Sequence, residues 1–209
     1  MDQKYFWLCT VLTGYLSTER LRTFADSVLL VAITILAYNL LPPSIVNGEV
    51  NEQEVEDFLN NFYGLVSSFV IIFILWILYM RILDYLARPD EVIMMISITF
   101  FILVLLTPIF TLGTLQYNNI RALVLLALLQ IFNGLLLVVL WTYILKNQEL
   151  LITQLNSKDN NNMYYNFAVI PSLYLASIAI GFVNIHVATI FPVIIIPVLL
   201  ILGRVYQRE

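Results

Sequence analysis

Hydrophobic residues fall into six long runs that are separated by short polar breaks. A bilayer core takes about 20 apolar residues per helical span, and each run reaches that length. The predicted transmembrane helices cover residues 24–43, 62–86, 91–114, 120–145, 163–183 and 186–205. We therefore predict an all-α polytopic membrane protein, with one six-helix transmembrane domain over residues 1–209.

Composition and charge agree with this prediction. Hydrophobic residues make up 61% of the chain and charged residues 11%, which excludes an ordinary soluble domain. The predicted inner side holds Lys4, Arg20, Arg22, Arg81, Arg88, Lys146, Lys158, Arg204 and Arg208, and the outer side holds only Arg121. By the positive-inside rule, both termini are expected to face the cytoplasm.

Three segments outside the spans carry their own expectations. Residues 1–19 are predicted to form an interfacial N-terminal segment, because the apolar run Tyr5–Leu16 is too short to span. Residues 44–61 form an acidic outer segment without basic residues; it is either a solvated face, an amphipathic lead-in to the second helix, or part of a ring that concentrates cations. Residues 156–162 are polar and predict a flexible inner loop.

Charges cluster where the first helix is expected to start. Arg20, Phe24, Ala25 and Asp26 precede a long apolar run. A carboxylate at the head of a span is costly unless it has a partner or reaches water. Arg20 and Asp26 are six residues apart, too far for an i,i+4 pair, so each is expected to find its partner on another helix or chain.

One face of the first helix combines hydroxyl and apolar side chains. Ser27, Val31, Thr34 and Tyr38 are spaced by four, three and four residues, which places them on one stripe. Such a stripe either packs against other helices or lines water. The residues alone leave both open, because Thr34 can satisfy its hydroxyl on the carbonyl group of Leu30.

The motif Arg20-x-x-x-Phe24-Ala25-Asp26, followed by Val31-Ala-Ile-Thr34-Ile-Leu36, resembles the signature of the endolysosomal potassium-channel family, which comprises transmembrane protein 175 and its prokaryotic relatives. Weaker similarity continues through residues 69–76, 88–90 and 108.

The chain also departs from the pattern of this family. Ala25 replaces the serine of the motif. Tyr79 and Met80 stand where the family has histidines, and Ser97 stands where it has an asparagine. The departures put in doubt any gating contact that the family builds from those residues.

The resemblance implies a four-fold symmetric tetramer with the first helix lining the pore. Val31 would form the apolar constriction, and Thr34 a hydroxyl layer that K+ contacts transiently. Ile35 and Tyr38 would continue the wall outward. A single motif copy implies a prokaryotic member, located in the plasma or inner membrane.

The expected function is a potassium-permeable cation channel with weak-to-moderate preference for K+ over Na+. The sequence has no Gly-rich loop of the Thr-Val-Gly-Tyr-Gly kind, so selectivity is expected from side-chain rings and constriction width rather than from a carbonyl filter. Other monovalent cations or protons are further candidate permeants, and the lipid bilayer is the other expected partner.

Three alternatives compete with the channel: a membrane enzyme, a transport protein, and a purely structural membrane protein, which a current through the purified protein would distinguish from a channel. Cys9 and His186 are single copies, and neither a nucleophile with its base nor a metal cluster is evident, so we expect no enzyme, no cofactor and no nucleic-acid partner. A proton-conducting or secondary transport protein that uses Asp26 remains the alternative, although the two halves of the chain show no inverted repeat.

Overall fold

Six helices build the chain in the computed structural model, which describes residues 17–38, 40, 42–46, 49–152 and 157–206. Their bounds are α1 Thr18–Tyr38, α2 Glu52–Tyr85, α3 Glu91–Tyr117, α4 Ile120–Lys146, α5 Ser157–Gly181 and α6 Ile185–Tyr206. Two short antiparallel strands, β1 Ile45–Val46 and β2 Glu49–Val50, lie between α1 and α2. A 3-10 turn, Gln148–Leu150, follows α4.

The prediction of an all-helical chain with membrane-spanning helices is confirmed. Within the described residues, four helices are long and apolar enough to cross a bilayer: α2, α3, α4 and the part of α5 from residue 160. A shorter apolar helical stretch, Ile185–Ile196, belongs to α6. The number of spans, the side of the termini and the tetramer stay predictions.

Neighbouring helices in the chain pack against each other, and α1 packs on α2 and α3 at one edge of the bundle. Leu21, Ala25, Val28 and Ala32 are the buried residues of α1. Their spacing of four, three and four residues defines one helix face. Among the described residues, α2 and α3 leave the opposite face of α1 uncovered.

Several predicted boundaries need correction. Helix α1 runs from Thr18 to Tyr38, so it starts and ends earlier than the predicted range 24–43. Helix α2 begins at Glu52 rather than at residue 62, because the Asn51 side chain accepts a hydrogen bond from the backbone N–H of Gln53 and caps it. The acidic outer segment is therefore partly the helical lead-in to α2.

The predicted flexible loop at residues 156–162 is wrong for its described part, because residues 157–162 form the first turns of α5. Asn160 accepts a hydrogen bond from the indole Nε1 of Trp141 at 3.0 Å, and Met163 is buried. These contacts hold the turn against α4. Residue 156 lies outside the described residues.

The predicted interfacial segment, residues 1–19, falls mostly outside the described part of the chain. Of its described residues, Thr18 and Glu19 already belong to α1. That end of the prediction is therefore corrected, and residues 1–16 are not described.

A polar layer crosses the core between α3 and α4. The Gln130 amide donates to the Thr107 hydroxyl at 3.1 Å, and the Asn133 amide reaches Gln130 at 3.5 Å. All three side chains are fully buried. The bond between Gln130 and Thr107 joins two otherwise apolar helices and fixes their relative height.

The outer segment is held to α2 by Glu54, which makes a testable pH prediction. The backbone N–H and the hydroxyl of Ser44 both donate to Glu54 Oε2 at 2.6 Å. These bonds lower the pKa of Glu54, and the bond from the hydroxyl has the larger effect. The contact is complete above the ordinary pKa of a glutamate, and it is lost as pH falls through the lowered value.

Removing the Ser44 hydroxyl with Ser44→Ala is therefore expected to raise the pKa of Glu54. The measurement is the pH titration of the Glu54 carboxyl ¹³C signal in the wild type and in the variant. Ser172→Ala, which removes an exposed hydroxyl on α5, is the control and should leave the titration unchanged. Identical curves for wild type and Ser44→Ala would contradict the prediction.

Candidate functional site

The predicted stripe of α1 lies on its uncovered face. Ser27, Val31, Thr34 and Tyr38 are all exposed, with Val31 at 50% and Tyr38 at 85%. Ile35 is also exposed, at 38%. Since α2 and α3 occupy the opposite side of the helix, the stripe has no cover from these helices.

The hydroxyl groups on this face bond to the helix itself. Ser27 donates to the Thr23 carbonyl and Thr34 to the Leu30 carbonyl, both at 2.8 Å. A hydroxyl that donates in this way keeps its oxygen lone pairs as acceptors. The face therefore offers oxygen acceptors beside the apolar Val31.

The N-terminal half of α1 is fastened to α2 by two polar contacts. The Trp76 indole Nε1 donates to Asp26 Oδ1 at 2.9 Å, and Arg22 forms a salt bridge with Asp84 at 2.7 Å. Asp26 thus finds a partner on another helix, as expected. The Arg22 pair was missed in the sequence, where the only signal was that Arg22 lies near the start of its helix and Asp84 near the end of its helix.

The other motif residues serve packing. Phe24 is half exposed, and its ring meets Phe101 of α3 edge-on at 5.4 Å between centroids. Ala25 is buried against the bundle, with 1% exposure. At the start of the motif, the backbone N–H of Arg20 donates to the Ser17 hydroxyl at 3.3 Å.

Two of the positions where the chain departs from the family pattern, Tyr79 and Ser97, touch each other. The Tyr79 hydroxyl on α2 donates to Ser97 Oγ on α3 at 2.8 Å, and both side chains are fully buried. The Tyr79 ring also meets Phe101 edge-on at 5.0 Å. Because Phe101 contacts Phe24, this bond lies directly behind the packing surface of α1.

Tyr79→Phe is expected to lower the free energy of unfolding by about 1–3 kcal/mol, because it removes the hydrogen-bond donor to a buried hydroxyl. Ser97→Ala should cost a similar amount. The double variant should cost less than the sum of the two, since it removes both partners together. Reversible unfolding of the purified protein in mixed micelles measures the free energy of unfolding of all four proteins in this double-mutant cycle. Strictly additive losses in the two single variants would contradict a direct bond between Tyr79 and Ser97.

The helix bundle, with α1 packed on α2 and α3, has a fold that is similar to that of a solved channel structure. It superposes on the crystal structure of a lysosomal potassium-selective channel TMEM175 homolog from Chamaesiphon minutus with a TM-score of 0.73. The alignment covers 89% of this chain and 97% of that chain at 19% sequence identity. At this identity the likeness concerns the fold.

The sequence of the first three helices is similar to a known family. Residues 20–108 match the family model described as "Endosomal/lysosomal potassium channel TMEM175". The predicted resemblance to this family is therefore confirmed over residues 20–108. Both descriptions are of channels rather than enzymes. No curated protein matches the chain significantly.

Proposed function

We propose that this chain is a potassium-permeable cation channel that assembles as a four-fold symmetric tetramer around α1. The observation that carries the proposal is the uncovered face of α1, which holds Ser27, Val31, Thr34 and Tyr38. A single α1 cannot enclose a path for ions, so conduction requires several copies. The family and the structural neighbour are both described as potassium channels, which supports K+ as the permeating ion.

The chemistry of this face suits a gated pore without a carbonyl filter. A ring of Val31 side chains closes the path by dewetting. Thr34 lies about one turn further along the helix, where its oxygens replace part of the hydration shell of K+. Ile35 and Tyr38 continue the wall outward. Oxygens on side chains discriminate weakly to moderately between K+ and Na+.

Orientation follows from the charges. The basic residues that flank the helices put both termini in the cytoplasm, so α1 runs from inside to outside. The acidic residues Glu52, Glu54, Glu56 and Asp57 then lie at the outer start of α2. Repeated in four copies, they raise the local concentration of cations at the outer mouth.

The alternative use of Asp26, as a proton carrier or transport site, has less support. One carboxylate oxygen of Asp26 already accepts the Trp76 indole proton at 2.9 Å. This contact joins α1 to α2 at the inner end, next to the Arg22–Asp84 salt bridge. We assign Asp26 the structural role of holding the pore helix on the bundle.

The test is potassium flux from liposomes that hold the purified protein, with Thr34→Ala as the variant. Flux that prefers K+ over Na+, with a preference reduced by Thr34→Ala, is the expected result. Thr99→Ala is the matched control, because Thr99 is also exposed and also donates to the carbonyl four residues earlier, at 2.9 Å. Absence of flux under any gradient, or equal effects of both variants, would count against the proposal.

A further inference from the structure

A second site lies away from α1, at the outer ends of α2, α3 and α6. These ends enclose a cavity of about 390 Å³, a volume within the range of small-molecule sites. Glu56, Asn60 and Tyr63 line it from α2. Their spacing of four and three residues puts all three side chains on one helix face.

The other two helices supply further polar groups. Asn118 ends α3 in the left-handed conformation, with φ of 42°, which asparagine tolerates. Its side-chain Nδ2 lies 3.3 Å from Nε2 of His186, near the start of α6. The contact joins α3 and α6 within the lining of the cavity.

Oxygen acceptors outnumber free donors in this lining. The hydroxyls of Thr114 and Thr189 donate to the carbonyls of Phe110 and Ile185, at 2.8 and 2.9 Å, so toward the cavity their oxygens act as acceptors. Tyr63 Oη has no hydrogen-bond partner in the described part of the chain.

The charge of the lining has one sign. Glu56 contributes a carboxylate, and no lysine or arginine is among the described residues around the cavity. An acceptor-rich pocket with one carboxylate suits a ligand that brings a positive charge and several N–H donors. A primary ammonium has three donors and no acceptor, and charge-assisted bonds to a carboxylate are the strong ones.

We propose that this cavity binds a primary ammonium group through the Glu56 carboxylate, with the oxygens of Asn60 and Tyr63 as further ligands. The group comes either from a small free amine or from the headgroup of an ethanolamine lipid in the outer leaflet. The site is separate from the stripe on α1, and its occupancy does not depend on ion conduction.

The experiment measures thermal unfolding of the full chain in phosphatidylcholine nanodiscs against increasing ethanolamine. Binding to the folded state raises the midpoint. Choline chloride and potassium chloride at equal ionic strength are the ligand controls, and choline lacks N–H donors. We expect Glu56→Gln to weaken the apparent affinity by about tenfold and Tyr63→Phe by about threefold. Glu52→Gln, one turn earlier on α2 and outside the lining, should match the wild type.

The two sources of the ammonium are separated by repeating the titration in nanodiscs of phosphatidylethanolamine. A higher starting midpoint that depends on Glu56, with no further response to ethanolamine, assigns the site to the lipid headgroup. A Glu56-dependent response in phosphatidylcholine assigns it to a free amine. The proposal is overturned if neither source stabilises the protein, or if Glu56→Gln responds like the wild type. It is also overturned if ethanolamine, choline chloride and potassium chloride raise the midpoint equally. None of these readouts is a flux, so their failure leaves the channel proposal untouched.

Discussion

Val31→Leu is expected to reduce potassium flux through the reconstituted protein by about tenfold or more. The substitution adds one methylene per chain to the proposed constriction. Each methylene held in a closed apolar ring is worth about 0.8 kcal/mol, so four copies add roughly 3 kcal/mol to the closed state. This exceeds the roughly 1.4 kcal/mol that changes an equilibrium tenfold. Flux from liposomes at fixed protein content measures the effect.

Val139→Leu is the matched control for this prediction. Val139 lies on α4 and is 51% exposed, against 50% for Val31, so the same chemical change is made at an equal exposure away from α1. We expect its flux to equal that of the wild type. Unchanged flux in Val31→Leu would mean that the constriction is at another position, and equal losses in both variants would point to a general effect on the fold.

The second large effect is expected from Gly134→Ala. Helix α4 meets α5 so closely here that a Cβ atom would come within 2.4 Å of Cγ and 2.5 Å of Cδ of Pro171. A proline ring cannot rotate away like the end of a flexible side chain, so the two helices must separate. Overpacking of this kind costs about 1–3 kcal/mol. We expect a lower unfolding temperature for the purified protein.

Gly113→Ala provides the contrast within the same fold. A Cβ at Gly113 of α3 would meet only the Tyr117 ring, at 3.9 Å, which is ordinary contact. Because alanine is favoured over glycine inside a helix by up to about 1 kcal/mol, this variant should unfold at the same or a higher temperature. If Gly134→Ala is as stable as Gly113→Ala, the close approach of α4 and α5 is not as described.

Hydropathy was enough to predict the helices, but their ends depended on contacts it does not record. Apolar runs give a helix in a bilayer because every backbone group must bond within the segment. The start of α2 at Glu52 rests on the Asn51 cap. The start of α5 rests on the bond between Trp141 and Asn160, which are 19 residues apart.

The face of α1 that forms the candidate site was predictable from the sequence, but its contacts with other helices were not. The spacing of Val31, Thr34 and Tyr38 defines one helix face whatever the fold, and the structure leaves that face exposed. Which of the two functions of such a face applies, packing or lining water, depends on other copies of the chain. Pairs such as Arg22 and Asp84, which are 62 residues apart, needed the three-dimensional fold to be found.

Ions are expected to pass along the exposed face of α1. The most direct measurement is potassium flux through the Thr34→Cys variant, made in a Cys9→Ser background. The flux is measured before and after the introduced cysteine reacts with a bulky cationic thiol reagent. We predict that the reagent lowers this flux strongly and leaves the flux of Thr99→Cys, made in the same background, unchanged. A labelled Thr34→Cys protein that conducts as before, or a loss of equal size at both positions, would contradict the account.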